Sequence, residues 1–267
     1  MNCTRDELMT VIAARQLRDG QVCFVGIGLP SAACNLARQT HAPNLVLIYE
    51  SGTIGARPSA LPLSIGDGEL AETADVIVSL PEVFAFYLQA GRVDVGFLGA
   101  AQMDRFGNLN STVIGDYAHP ATRLPGAGGA PEIATHAGQT LVVMKASPRS
   151  MVAELDFRSS GGFIDGGDTR TAHGLGGAGP QVVITDVGLL QPHPLSRELQ
   201  LTALYPGIDQ AEAVRAFGWP LQIANDCHRL SAPTATELKT LRALQRRSAT
   251  AHLQTQVLPL HRLEAAP

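Results

Sequence analysis

A chain of 267 residues is long enough to bury a large core, and 45% hydrophobic against 16% charged residues, with 27 glycines, excludes a disordered segment and suits a compact α/β protein rich in tight loops. A formal net charge of −4 offers no electrostatic footprint for nucleic acid, since the basic pair Arg246-Arg247 falls in a solvated helical pattern. No stretch approaches the roughly 20 apolar residues that span a bilayer, and Met1 to Glu7 carries early acidic residues and no apolar run. The sequence therefore predicts no membrane contact and a cytoplasmic location. Cys3, Cys23, Cys34 and Cys227 lack CxxC or His-linked spacing, which predicts reduced thiols and no metal site. Cys23 and Cys34 read as small buried hydrophobes.

Thr4 with Glu7 three residues on has capping-box spacing, and Leu8, Val11, Ile12 and Leu17 predict an amphipathic helix over 4–17. Val22 to Val25 reads as a short buried strand running into Gly26-Ile27-Gly28-Leu29-Pro30 and a helix over Ser31 to Arg38. Strand, glycine loop and helix in that order aim backbone N–H groups at an anion, with a plain tight turn as the alternative. The third glycine of a dinucleotide fingerprint is missing.

Leu45-Val46-Leu47-Ile48 follows Pro43-Asn44 and predicts a strand buried on both faces. Glu50 then emerges at its carboxyl end, where ligands collect in open α/β sheets, and Ser51-Gly52 supplies a turn that leaves the carboxylate uncovered. An ordinary exposed loop glutamate is the alternative from this window alone. Gly55 to Asp67 is too irregular for a regular element, and long ordered loops of this kind are commonly functional. Asp75 to Ser79 predicts a strand, Pro81 to Ala90 a helix with proline in its first turn, and Val93 to Leu98 a further strand with a Gly99-Ala100-Ala101-Gln102 exit. The alternation is that of an open, mainly parallel sheet covered by helices.

A polar, turn-rich segment spans Met103 to Thr112, and around it Gln102, Asn108, Asn110 and Asp116 either shape a pocket or make turns. In Gly126-Ala127-Gly128-Gly129-Ala130, side-chain-poor positions leave backbone N–H groups uncovered, as stabilising a developing oxyanion requires; a structural glycine loop is the alternative. Thr140 to Met144 reads as a strand, Gln181 to Asp186 and Leu199 to Leu204 as paired strands, and Gln210 to Phe217 as a helix. Thr234 caps a last helix to Arg247, with Glu237 at capping-box spacing, and Glu264 to Pro267 reads as a frayed tail. Without a repeat or linker, residues 1–267 are expected to form one domain.

Several of these stretches occur together in one family. Gly26-Ile27-Gly28-Leu29-Pro30, Glu50-Ser51-Gly52, Gly99 to Asp104, Phe106 to Thr112, Ile114-Gly115-Asp116-Tyr117 and Gly126 to Ala130 follow one another in the order found in class I CoA-transferase β subunits, and the chain resembles that family, in particular its glutaconate type. The likeness runs on through Tyr205-Pro206-Gly207. It implies the CoA-transferase fold, a partner α subunit in a hetero-oligomer, acyl-CoA and a small dicarboxylic or branched carboxylic acid as substrates, and coenzyme A as co-substrate with no bound cofactor. It implies Glu50 as the nucleophile that carries CoA as a glutamyl thioester, and the loop Gly126, Ala127, Gly128, Gly129 and Ala130 as oxyanion and CoA loop. Gly28, Ser51, Gly52, Gln102 and Asn108 are the further candidates at the substrate, with Ser51 either orienting the carboxylate or completing the turn. Relatives that hydrolyse, ring-open or decarboxylate acyl-CoA on the same fold form the alternative reading, and a ligand-sensing module is a more distant one.

Overall fold

The computed structural model describes residues 3–256. In chain order the helices are α1 (Arg5–Arg15), α2 (Leu29–Arg38), α3 (Gly68–Glu72), α4 (Leu80–Glu82), a π-helix (Val83–Leu88), α5 (Ala130–His136), α6 (Thr169–Ala172), α7 (Gln210–Arg215) and α8 (Ala235–Gln256). The strands are β1 (Val22–Phe24), β2 (Val46–Ile48), β3 (Thr53–Ile54), β4 (Val76–Ile77), β5 (Val95–Leu98), β6 (Gln102–Met103), β7 (Leu109–Asn110), β8 (Val113–Gly115), β9 (Pro120–Arg123), β10 (Gln139–Val143), β11 (Pro180–Ile184), β12 (Gly188–Pro192), β13 (Leu199–Leu204) and β14 (Gln222–Arg229). Ten strands form one sheet in the order β14-β13-β12-β11-β10-β5-β1-β2-β3-β4, while β6-β7 and β8-β9 make two small hairpin sheets.

The centre of the large sheet is parallel, with β1 between β2 and β5, and β10 between β5 and β11. Its strands are short apolar runs such as Leu47-Ile48 and Val95 to Leu98, buried as parallel strands covered on both faces must be. Both flanks turn antiparallel. At one flank β2 reverses into β3 and β3 into β4; at the other β12 lies antiparallel between β11 and β13. The sequence paired the β11 and β13 segments directly and missed β12, because Gly188 and Pro192 at its ends mask the apolar Leu189-Leu190. The strand expected over Asp75 to Ser79 shrinks to β4, whose two residues are exposed at the sheet's edge.

The capping box at Thr4 forms as predicted: the Glu7 amide donates to Thr4 Oγ1 at 3.1 Å, and the Thr4 amide donates to the Glu7 carboxylate at 2.8 Å. The helix it starts is not amphipathic in its setting. Every residue from Glu7 to Ala14 is buried, since α2 packs beside α1 and α8 returns from the C-terminus to lie across both. The expected frayed tail at Glu264 to Pro267 lies outside the described residues.

Candidate active site

Glu50 stands two residues beyond the end of β2. The Gly52 amide donates to the Tyr49 carbonyl at 3.0 Å and the Tyr49 amide donates to the Thr53 carbonyl at 3.0 Å, closing the turn that reverses the chain into β3. Gly52 sits at φ 104°, and a side chain there would run into the Val78 carbonyl. Behind the turn, the fully buried Tyr49 places its hydroxyl 3.1 Å from Ser31 Oγ on α2, and Asn35 donates to the Ser31 carbonyl at 2.9 Å. Burial pushes the Tyr49 phenol well above its ordinary pKa, so it stays protonated. The backbone on both sides of Glu50 is thereby pinned. Ser51 does not brace the carboxylate: its hydroxyl is buried with no hydrogen-bond partner.

The glycine loop follows the β8-β9 hairpin and leads into α5, which packs on β5. Gly96 in β5 leaves room for Ile133, and a side-chain carbon there would fall 3.2 Å from Ala137 Cβ, so α5 packs unusually close to the sheet. The loop that leads into α5 is consequently held at the carboxyl ends of the strands. Within it the Gly126 amide donates to the Ser111 carbonyl at 2.9 Å and the Ala130 amide to the Ala127 carbonyl at 3.0 Å. The amides of Ala127, Gly128 and Gly129 have no hydrogen-bond acceptor among the described residues. Gly128, at φ +50°, turns this row in a conformation that a side chain disfavours.

Carboxylate and loop meet at Gly129. A side-chain carbon built there would lie 3.1 Å from Glu50 Oε1 and 2.5 Å from Cζ of Phe84, so only a residue with no side chain lets both come so close. Between Glu50 and the loop opens a cavity of about 360 Å³, walled by Pro125 to Ala130, by Gly26 and Gly99 at the ends of two strands, and by Ile65 from the long loop. A larger hollow of about 630 Å³ lies among the amino ends of β10, β11 and β13. It is lined by glutamines such as Gln139, Gln181 and Gln200, and neither Glu50 nor the glycine loop reaches it.

The structure thus gathers Glu50, Gly126, Ala127, Gly128, Gly129 and Ala130 around one space. Gly28 is not in its lining; at φ 84° it caps α2, and Gly26 takes the place at the cavity. Gln102 and Asn108 are spent elsewhere. The Gln102 amide donates to Asp156 at 2.8 Å and its carbonyl accepts from Asn110 at 2.8 Å. Asn108 donates to Asp104 at 2.8 Å and to the Ile164 carbonyl at 2.7 Å, and accepts from the Gly162 amide at 2.9 Å. Sequence reasoning missed Tyr49 and Phe84. An aromatic residue in an apolar run gives no sign of which wall it faces.

The family described as Coenzyme A transferase matches residues 7–216. The chain belongs to the coenzyme A transferase family. It is 56% identical over 249 residues to the B-type subunit of the 3-oxoadipate CoA-transferase of Pseudomonas knackmussii, covering 93% of this chain and 96% of that one. It is 35% identical to the B-type subunit of the glutaconate CoA-transferase of Acidaminococcus fermentans, covering 90% and 92%. The crystal structure of the glutaconate enzyme superposes with a TM-score of 0.85 over 90% of this chain and 94% of that one. The fold is therefore that of the glutaconate CoA-transferase, and the chain is a CoA-transferase subunit of the B type. Its relatives are second subunits of two-subunit enzymes, so an α-subunit partner is expected. No helix among the described residues is long and apolar enough to cross a membrane.

Proposed function

We propose that this CoA-transferase subunit moves coenzyme A between an acyl-CoA and a small dicarboxylic acid through a thioester on Glu50. The observation that carries the reading is the approach of the Glu50 carboxylate to the bare Cα of Gly129, beside three unpaired amides. Exchange between two acids has to conserve the thioester, which a route through water would dissipate. A carboxylate nucleophile meets that requirement. Glu50 attacks the acyl carbonyl and forms a mixed anhydride as CoA thiolate leaves; the thiolate then attacks the Glu50 carbonyl, giving the enzyme thioester and free acid. The acceptor acid reverses both steps. Each passes through a tetrahedral oxyanion, for which the Gly128 and Gly129 amides are the donors, and losing one such donor typically costs about a hundredfold or more in rate.

The likeness to a 3-oxoadipate CoA-transferase supports the dicarboxylic class of substrate. The cavity lining contributed by this chain contains one ionisable side chain, Glu50, and no lysine or arginine. A second substrate carboxylate would therefore draw its counter-charge from the α subunit. Six of the eight exposed large hydrophobic side chains among the described residues, Leu63, Ile65, Val76, Ile77, Leu80 and Phe86, fall between residues 63 and 86. Ile65 also lines the cavity, and we assign these exposed apolar side chains to contact with the α subunit. Four free thiols suit a cytoplasmic enzyme. The test is to separate the half-reactions in the reconstituted complex. Acyl-CoA alone should give a stoichiometric burst of free acid, and a dicarboxylic acceptor should then yield its CoA ester; steady CoA release with no acceptor would refute transfer.

A further inference from the structure

The helix predicted over Pro81 to Ala90 changes register part-way. After α4 the Gln89 amide donates to the Phe84 carbonyl at 2.8 Å, and the Arg92 amide to the Tyr87 carbonyl at 2.8 Å, both five residues back, so Val83–Leu88 is π-helical. Such turns give up regular helical bonding and recur at functional sites, where they aim a side chain that α-helical register would send elsewhere. The side chain aimed here is Phe84. Its ring packs on Phe24 at 5.8 Å between centroids, and its edge occupies the space a Gly129 side chain would fill, the same space that Glu50 Oε1 borders. Phe84 is not in the cavity lining. It borders Glu50 from outside that lining, across the space at Gly129.

From this we infer that Phe84 is a positioning and shielding residue that keeps water off the Glu50 thioester and so decides transfer over hydrolysis. The inference rests on the covalent reading of Glu50. In the step it suppresses, water oxygen bonds to the Glu50 acyl carbon, the carbon–sulfur bond breaks, the departing CoA thiolate takes up one of water's protons, and Glu50 returns as carboxylate with the other proton released to solvent. An aromatic edge against the carboxyl group excludes water from that side and offers no hydrogen bond to activate it. Neither task requires Phe84 to touch the substrate.

The experiment uses the α/β complex with Phe84→Leu, which preserves bulk, and Phe84→Ala, which opens the flank. Loaded with acyl-CoA and freed of excess, each is followed for decay of the enzyme thioester without acceptor, and for KM and kcat with acceptor. The expected result is thioester decay accelerated about tenfold or more in the alanine variant and less in the leucine variant, with kcat for transfer reduced and KM for acyl-CoA within about threefold of wild type, since about 1 Å of misplacement alone can cost a hundredfold. Decay at the wild-type rate in both variants overturns the inference. So does a parallel fall in every rate with a lowered melting temperature, which is what a purely structural ring would give. If wild type forms no thioester at all, the Glu50 reading fails first, and that outcome is distinct from both.

Discussion

A methyl group on Gly129 would meet the Phe84 ring and the Glu50 carboxylate at once, while one on Gly128 would meet nothing within 4 Å. The two glycines are needed for different reasons. Gly128 is held at φ +50°, so its replacement by alanine strains the backbone by about 1 kcal/mol and leaves the pocket's shape intact. Gly129 has φ −81°, open to any residue, so Gly129→Ala acts by pressing on the Phe84 ring and the Glu50 carboxylate beside it. We expect Gly129→Ala to lower kcat by about a hundredfold with little change in melting temperature, and Gly128→Ala to lower the melting temperature with a smaller effect on kcat; steady-state rates and thermal melts of the two variants check this. At this scale Glu50 and the glycine loop were legible as candidates, because a carboxylate after a buried strand and a run without side chains are local signals. It could not separate Gly26 from Gly28 at the cavity, nor show that Gln102 and Asn108 are absorbed in buried networks, since polar residues in turns look alike whether they face a ligand or one another.

α8 is fastened over α1 by two ion pairs. Arg15 lies 2.7 Å from Glu237, and Arg242 lies 2.6 Å from Glu7. Hydrogen bonds from Arg15 pull the Glu237 carboxyl down from its usual 4.5 to about 2, and Arg242 likewise lowers Glu7. Because the folded-state pKa is depressed, this stabilisation is present above the unfolded value and is lost as pH falls toward the folded one. Stability should therefore decline between about pH 4.5 and pH 2. Glu237→Gln should cost about 1–2 kcal/mol at neutral pH and flatten that decline, as read by urea unfolding at several pH values; an unchanged slope would show that the pair does not fasten the helix. The caps of both α1 and α8 were legible as Thr-x-x-Glu. β14 was not, because its Gln-Ile-Ala-Asn-Asp-Cys-His-Arg sequence is that of a mostly exposed edge strand with no apolar alternation, and the π-helix was not, because the choice of helical register is made by the packing of Phe84 against Phe24 and Gly129.

Across the whole molecule, the sheet ends at an edge strand, β4, whose Val76 and Ile77 are both exposed, as are Leu80 and Phe86 just after it in the chain. An apolar edge of that kind is an association surface unless it is covered. Placing charge there, as in the double variant Ile77→Asp and Leu80→Asp, should abolish co-elution with the α subunit while leaving the far-ultraviolet circular dichroism of the lone chain unchanged; retained co-elution would move the interface elsewhere. The parallel centre of the sheet was legible from strand and helix alternation, whereas this edge was not, since exposure of an apolar residue is decided by the whole assembly. The most direct measurement for the account is peptide mass spectrometry of the α/β complex after incubation with acyl-CoA and no acceptor. Coenzyme A should be found on the peptide containing Glu50, disappear on addition of a dicarboxylic acid as the new acyl-CoA forms, and be absent from Glu50→Gln; adduct on another residue, or full transfer by the Glu50→Gln enzyme, would contradict it.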